Sequence, residues 1–595
     1  MNYTSTFLKQ LFAVVAMLFI CSFSIAQKID QTFLPKGFAP GEKEKMKEYL
    51  ENRNNQRSST VITTPPTGSA IRTMSEWEEV QALVIVWTSY LPVHREIIKA
   101  VQNETPVIIV CSDSNTVKSN LTSNGVALTN LSFLIAPFNS VWIRDYMANS
   151  VYTNNVDSLV LVDWIYNRPR PKDDTLARSI ANYMNIPLYE TSGGINNLIN
   201  VGGNYMTDGF GNDFSSNLVL DENPTQSSTE IGQIMNNFMG TGNYIKMNTL
   251  PYDGIHHIDM HMKLLDEETL LIGEYPAGVA DGPQIEANLQ YVLSNHNSVF
   301  GTPFKIIRIP MPPEPGYDYP PNSYYYTYAN NSIVNKTILM PTYPVNATTP
   351  SYHDTIAIRI MQEAMPGYNV VGINTKSTIS ASGSLHCITH SIGVTHPLLI
   401  KHQALPNTTN STIDYSVEAK IMHKSGISAA TMYYRTDISQ AFVSVSMTLL
   451  NPLTDNWTAN IPAQIDGTII HYYIQAQAVT GKQQVRPITA PTGYYTFEVY
   501  QPLNIEEMTS AVDFKNAYPN PSKGITCIPV QTLSSVKGSI KLFDIAGREI
   551  ATIFEGEFTR GNSNYFINTQ EISSGAYLLI LQQGEVKQAQ KLMIR

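Results

Sequence analysis

Strand-like and helix-like stretches alternate along residues 76–399 and then give way to strands alone, and this change of texture constrains the fold most. Apolar runs at 80–87 and 107–111 have strand length, while 94–102 and 176–184 carry helical spacing. Alternation of this kind implies an α/β domain. After His402 the helical spacing stops. Residues 413–422, 431–435 and 469–478 alternate in period two with turn signals between them, and Trp457 and Tyr473 offer core aromatics. That pattern predicts a sandwich-like β domain. A further β module follows Asp513, with strand runs at 539–545 and 576–581 and a turn at Ala546-Gly547-Arg548.

The N-terminus has a different character. Lys9 precedes an apolar run at 11–20, and Ser24-Ile25-Ala26 is a small-x-small cleavage signal. The run is too short to span a bilayer, so residues 1–26 read as a signal peptide cut after Ala26. No later stretch approaches about 18 apolar residues, so no transmembrane segment is expected. Residues 27–65 form a leader. Charge alternates from Glu42 to Glu51, with Met46, Tyr49 and Leu50 at helical spacing, and 54–66 is polar and ends in Thr-Thr-Pro-Pro. This is either a removable propeptide or an N-terminal helix lying on the next domain, the former favoured. The remaining boundaries fall at 66–402 for the α/β domain, 403–501 for the first β domain, and 502–595 for a linker and the last module. Residues 310–328 are too rich in proline and tyrosine for a core element and suit a loop over a site.

Composition excludes some classes. A net charge of −10 leaves no basic footprint for nucleic acid. Only 15% of residues are charged, which suits a sheet-rich extracellular chain better than a helical cytosolic one. Cys21 leaves with the signal, and Cys111, Cys387 and Cys527 remain. An odd, sparse set argues against a disulfide framework and leaves at least one free thiol.

Four clusters carry candidate chemistry: Trp142-Ile143-Arg144-Asp145; Gly202-Gly203-Asn204 with Asp208-Gly209-Phe210-Gly211; Gly254 to His261, containing His257 and Asp259; and Gly383 to Thr389, containing His386-Cys387. Each has an ordinary reading. Asp145 can pair with Arg144 at the surface. A lone cysteine in an apolar run is usually buried and inert. Gly-Gly-Asn is usually a turn. His257 can be a satisfied core histidine. If 254–261 is a strand, His257, Asp259 and His261 share one face and could hold a metal. Spacing alone leaves metal binding and acid–base work both open.

Together, and in this order, Trp-x-x-Asp, Gly-Gly-Asn, His-x-Asp and a distal His-Cys resemble the guanidine-modifying enzymes of the pentein superfamily. The closest likeness is to the Porphyromonas-type peptidylarginine deiminases and the agmatine deiminases, over roughly residues 70–400. The resemblance implies a five-bladed α/β-propeller. It implies that Asp145 and Asp259 hold a guanidinium by its forked N–H donors, and that Cys387 is the nucleophile. His257 would move protons to the departing ammonia and from the hydrolytic water. Tyr328-Ala329-Asn330 has the form of the family's Tyr-x-Asn, which carries over Asn330. Trp142 falls to substrate binding. No step needs a metal or other cofactor.

Agmatine deiminases usually show Glu-Gly-Gly where this chain has Val201 before Gly202, which weakens that assignment. Arg168 and Arg170 alternate across Pro169, so both can point one way in an extended chain. They look like the pair that recognises a C-terminal carboxylate in the bacterial peptidylarginine deiminases; a solvated basic loop is the ordinary alternative. The segment 403–500 resembles the immunoglobulin-like module of those enzymes. Asn516 to Pro521, Asp544 to Arg548 and Gly575-Ala576-Tyr577 resemble a type IX secretion sorting domain, making the secretion machinery the expected partner. The expectation is a secreted or surface-attached deiminase that converts arginine, above all C-terminal arginine, of peptides or proteins to citrulline. Its rivals are an exported agmatine or free-arginine deiminase, an inactive surface adhesin, and a metal-dependent hydrolase using His257, Asp259 and His261.

Overall fold

The computed structural model describes residues 34–55, 61–276, 278, 281–315, 324–451, 453–501 and 511–595. The expected signal peptide, 1–26, lies outside the described residues, as do 316–323 of the proline-rich loop and 502–510 of the linker.

The α/β region is built from one unit used five times. Each unit is an antiparallel strand pair followed by a helix and a strand that returns parallel. The first sheet joins Ile71–Thr73, Asn149–Thr153, Ser158–Asp163 and Leu188–Glu190, with Leu176–Met184 in the crossover. The second joins Met206–Thr207, Asn212–Ser216 and Asn243–Met247 across the helix Ser228–Met239. In the third, Met262–Leu264, Thr269–Glu274 and Lys305–Pro310 surround Gly282–Asn295. In the fourth, Ser332–Val334, Thr337–Thr342 and Asn369–Asn374 surround Tyr352–Ala364. The fifth closes early and late chain together: His390–Gly393 pairs antiparallel with Val80–Val86, and Val107–Cys111 and Leu131–Ile135 follow in parallel. Helices on the sheets bury both strand faces, so the central strands are unbroken apolar runs; Leu83 to Val86 and Val107 to Val110 lie in one continuous core.

The described part of the leader is structured. A helix at Met46–Asn55 follows a short turn at Lys43–Lys45. Its Arg53 guanidinium reaches Asp174 at 2.6 Å and Glu190 at 3.8 Å, which docks it on the first unit. Of the proline-rich stretch, 310 ends a strand, and Pro313 bridges Tyr325.

The first β domain is a sandwich with its own core, from Leu398 to Val499. Its strand Leu399–Lys401 already pairs with Tyr415–Met422, just before the expected boundary. The expected aromatic Tyr473 is buried, but it stacks on Tyr433 on the other face, and its neighbour Tyr472 is the one fully buried among the sandwich core side chains. In a strand a step of one residue reverses the face. Trp457 packs at the margin of that core. The last module is a second small sandwich, cored by Ile528, Ile540, Leu542, Phe558 and Leu579. Among the described residues no helix is long and apolar enough to cross a membrane.

Candidate active site

The links between the five units converge. Residues 136–148 join the fifth sheet to the first, and 191–205 the first to the second. Residues 248–261, 311–331 and 375–389 join the others in turn. Each link carries one cluster singled out in the sequence or the Asn330 segment.

Asp145 sits in a single helical turn, Ile143–Tyr146, set by its N–H donating to the Trp142 carbonyl at 3.0 Å. The Gly202–Asn204 turn packs against it. A Cβ on Gly202 would lie 2.0 Å from the Arg144 carbonyl oxygen, and one on Gly203 would lie 2.4 Å from His257 Nδ1 and 2.8 Å from Asp145 Oδ1. These glycines are required by close approach, not by a left-handed backbone. Asn204 pins the next strand, its Oδ1 accepting from Ser216 N–H at 2.9 Å.

His257 caps a second tight turn and Asp259 lies within it. Ile258–Met260 is a 3-10 turn and not the strand that the alternation of His257, Asp259 and His261 required. Among the described residues no three metal-ligating groups come together. His257 Nδ1 faces Asp145 Oδ1 at 3.4 Å, and both side chains are buried. Arg144 does not pair with Asp145; its Nε donates to the His386 carbonyl at 3.2 Å.

Cys387 lies in the turn His386–Ile388 and is fully buried. Its Sγ is 3.9 Å from Asp259 Oδ2 and 3.4 Å from Asn330 Oδ1. Asn330 also accepts from the His386 N–H at 3.1 Å and donates to the Asp259 carbonyl at 3.1 Å, tying three links together. Asn331 turns away and bonds within its own turn, to Tyr328 O at 3.1 Å. Cys111 and Cys527 are free and buried elsewhere.

A residue that sequence reasoning missed occupies the centre. Lys36 Nζ is 2.8 Å from Cys387 Sγ and 3.6 Å from Asp259 Oδ1, with no exposed surface. Burial alone would lower its pKa, but Asp259, Cys387 and Asp145 raise it above the ordinary value and keep the ammonium charged. Burial is the largest influence on Asp145 and Asp259 and would raise both; Lys36 together with His257 at Asp145, and Lys36 together with His386 and His257 at Asp259, outweigh it and hold them low. Burial first, then Lys36, lowers His257, so its ring stays neutral. Burial pushes the Cys387 thiol up to about 12, against the pull of Lys36. The site is two carboxylates, a neutral imidazole and a thiol, arranged around one cation.

Arg168 and Arg170 are buried rather than solvated. Arg168 Nε donates to the Lys36 carbonyl at 3.3 Å. Arg170 Nη2 donates to the Pro35 and Gly37 carbonyls, both at 2.9 Å, and Arg170 forks onto Glu42 at 2.9 and 2.8 Å. Trp142 Nε1 donates to the Leu34 carbonyl at 2.8 Å.

His386 is the other omission. Its Nδ1 meets Asp259 Oδ2 at 2.8 Å and its Nε2 meets Glu76 Oε2 at 3.1 Å, and Glu76 takes Lys263 at 2.7 Å. A signal existed, since His386 adjoins Cys387, but its partner Glu76 is 310 positions away. The Asp208 stretch is not part of the site. Asp208 accepts from Phe210 N–H at 2.7 Å and closes a hairpin turn.

The profile of Porphyromonas-type peptidyl-arginine deiminases matches residues 72–392, and that of a secretion system C-terminal sorting domain matches residues 516–595. A Legionella pneumophila protein described as "Putative agmatine deiminase" is 24% identical over 295 residues, covering 45% of this chain and 77% of its own. A Vibrio parahaemolyticus protein under the same description is 25% identical over 290 residues, 43% of this chain and 76% of that one. A solved structure described in those words superposes with a TM-score of 0.50 at 19% identity, covering 57% of this chain and 100% of its own, a likeness of fold. The first profile spans more than half of the 595 residues, and the second marks the tail for export to the surface or medium. The chain therefore belongs to the Porphyromonas-type peptidyl-arginine deiminase family, as an exported pentein-fold deiminase of arginine-like guanidino groups.

Proposed function

We propose that this enzyme converts arginine held in a peptide chain to citrulline, with Cys387 as nucleophile. The observation that carries the reading is the double contact of the segment around Lys36. Its side chain reaches the thiol while Arg168 and Arg170 bind its main-chain carbonyls. A guanidinium in the place of that ammonium meets Asp259 on one side and Asp145 on the other. Among the described residues, both Asp145 oxygens and one of Asp259 lack a hydrogen-bond partner, as a site built for a larger fork of donors requires.

The chemistry follows from these groups. The cation draws the Cys387 thiol towards thiolate, since its field opposes the rise caused by burial. The Cys387 thiol gives its proton to neutral His257 as Sγ adds to the guanidinium carbon, and His257 passes that proton to the nitrogen that leaves as ammonia. Neutral His257 then removes a proton from water, and the hydroxide displaces the thiolate from the thiouronium carbon. The products are a ureido side chain and ammonium, and the thiol is regenerated. Asn330 and His386 position Cys387 and Asp259. We also read the five units as blades of a closed ring, because all five links meet at this one site.

Agmatine is the second reading, favoured by the descriptions of the Legionella and Vibrio relatives. It has no main-chain carbonyl or carboxylate for Arg168 and Arg170. A C-terminal carboxylate would give Arg168 an ion pair where it now has a neutral carbonyl, which favours C-terminal over internal arginine. Citrulline or ammonia release from agmatine, free arginine, a peptide ending in arginine and its C-terminal amide tests the reading. Agmatine turned over faster than either peptide would overturn it.

A further inference from the structure

We propose that residues 34–42 are a tethered pseudosubstrate that keeps the intact chain latent, with Lys36 as an occupant the enzyme cannot convert. The inference rests on the reading that the site takes arginine within a peptide.

The segment is bound as a ligand would be. Four consecutive carbonyls, Leu34 to Gly37, accept from Trp142, Arg170, Arg168 and Arg170 in turn. The Lys36 N–H donates to the Ala381 carbonyl at 3.2 Å. Phe38 lies under the Arg168 guanidinium, 4.2 Å from it. Glu42 takes the fork of Arg170, and Arg53, on the helix that follows, anchors the leader at Asp174. The chain enters and leaves the pocket on both sides of Lys36, so the seat is a groove for a continuing peptide and not a closed hole for a small amine.

The occupant is inert for a chemical reason. An ammonium places a saturated nitrogen, with no electrophilic carbon, beside Sγ. It reaches Asp259 but leaves Asp145 without a hydrogen bond, so it fits the pocket less completely than a guanidinium would. Tethering compensates, because an intramolecular ligand acts at a high effective concentration. Severing the leader from the catalytic region would make it an ordinary, dilutable competitor.

The test uses the full chain. Alkylation of Cys387 by an uncharged haloacetamide, located by peptide mapping, reads pocket occupancy without any substrate. Citrulline release from an arginine peptide reads turnover. Lys36→Ala should raise both by about tenfold or more over the parent chain. Glu42→Ala, which removes an anchor outside the pocket, should raise both in the same direction and covers a folding failure of the first variant. Lys36→Arg should convert its own residue 36 to citrulline, seen by mass spectrometry as oxygen in place of NH. Equal alkylation and equal turnover in parent, Lys36→Ala and Glu42→Ala would overturn latency. Increased alkylation with no citrulline from any arginine compound would leave latency standing and overturn the proposed function.

Discussion

His257 faces Asp145 across 3.4 Å, and among the described residues neither ring nitrogen of the histidine has a hydrogen bond to another group. Buried beside a cation, the imidazole is held below its ordinary value of 6.5, with burial the larger cause and Lys36 the next. A base must be neutral to work, and a lowered value keeps it neutral through the whole range above 6.5. In the Lys36→Ala chain the second of these causes is gone while Asp145 and Asp259 still pull upward, so the acid limb of kcat/KM should lie above that of kcat. The limb of kcat falls lower because bound guanidinium restores the missing cation. Steady-state rates across the acid range check both; an acid limb of kcat at or above that of kcat/KM would contradict the assignment of His257.

Gly203 is the spacer that lets this pair form. A methyl group there would stand 2.4 Å from His257 Nδ1. Gly203→Ala should displace the ring or Asp145 and cost about 10²-fold in kcat in the Lys36→Ala background, since misplacement of about 1 Å has that effect. Far-ultraviolet circular dichroism should be unchanged.

Cys387→Ala should abolish citrulline formation from every guanidino compound, while a chelator should leave the rate of the Lys36→Ala chain untouched. The two results together separate thiol chemistry from the metal reading of His257, Asp259 and His261.

Glu76 holds together a buried ion-pair cluster. It accepts from Lys263 at 2.7 Å and meets His386 at 3.1 Å, with Lys263 almost fully buried. Burial would raise its carboxyl, but Lys263 and then His386 hold it well below the usual range. Stability from a depressed carboxylate is present above its unfolded value and lost as pH falls through the folded one. Glu76→Ala would leave Lys263 unpaired, at a cost of about 3–5 kcal/mol. A lowered thermal midpoint at neutral pH, with the difference from the parent shrinking on acidification, checks this.

Local pattern carried the fold a long way. The helix at 176–184 and the strand at 469–478 coincide with observed elements because burial of one face imposes its period on the residues. The fivefold unit left no such trace. Its repeats share a strand order and not a sequence, and their lengths differ. The site clusters were legible because close packing demands glycine and because charge needs particular side chains. Lys36 was not, since a lysine between proline and glycine looks like solvent-facing leader, and only the fold brings it 351 positions along the chain to Cys387. The metal reading of 254–261 depended on a strand that does not form there, because alternation over so short a stretch does not distinguish a strand from a tight turn.

Arg168 and Arg170 separate peptide from small-molecule turnover. Each donates from a charged group to a main-chain carbonyl, a bond worth about 1.5–3 kcal/mol. In the Lys36→Ala chain, Arg168→Ala should lower kcat/KM on arginine peptides by roughly 10- to 150-fold, mostly through KM, because the lost contact is made equally in ground and transition states. Agmatine, lacking a carbonyl at that place, should lose little. The same substitution in the parent chain should act oppositely on occupancy. It loosens Lys36 from its seat, so Cys387 alkylation should rise while peptide turnover stays low. A uniform fall on agmatine and peptide alike would mean that Arg168 supports the fold of the pocket and does not read the substrate's main chain.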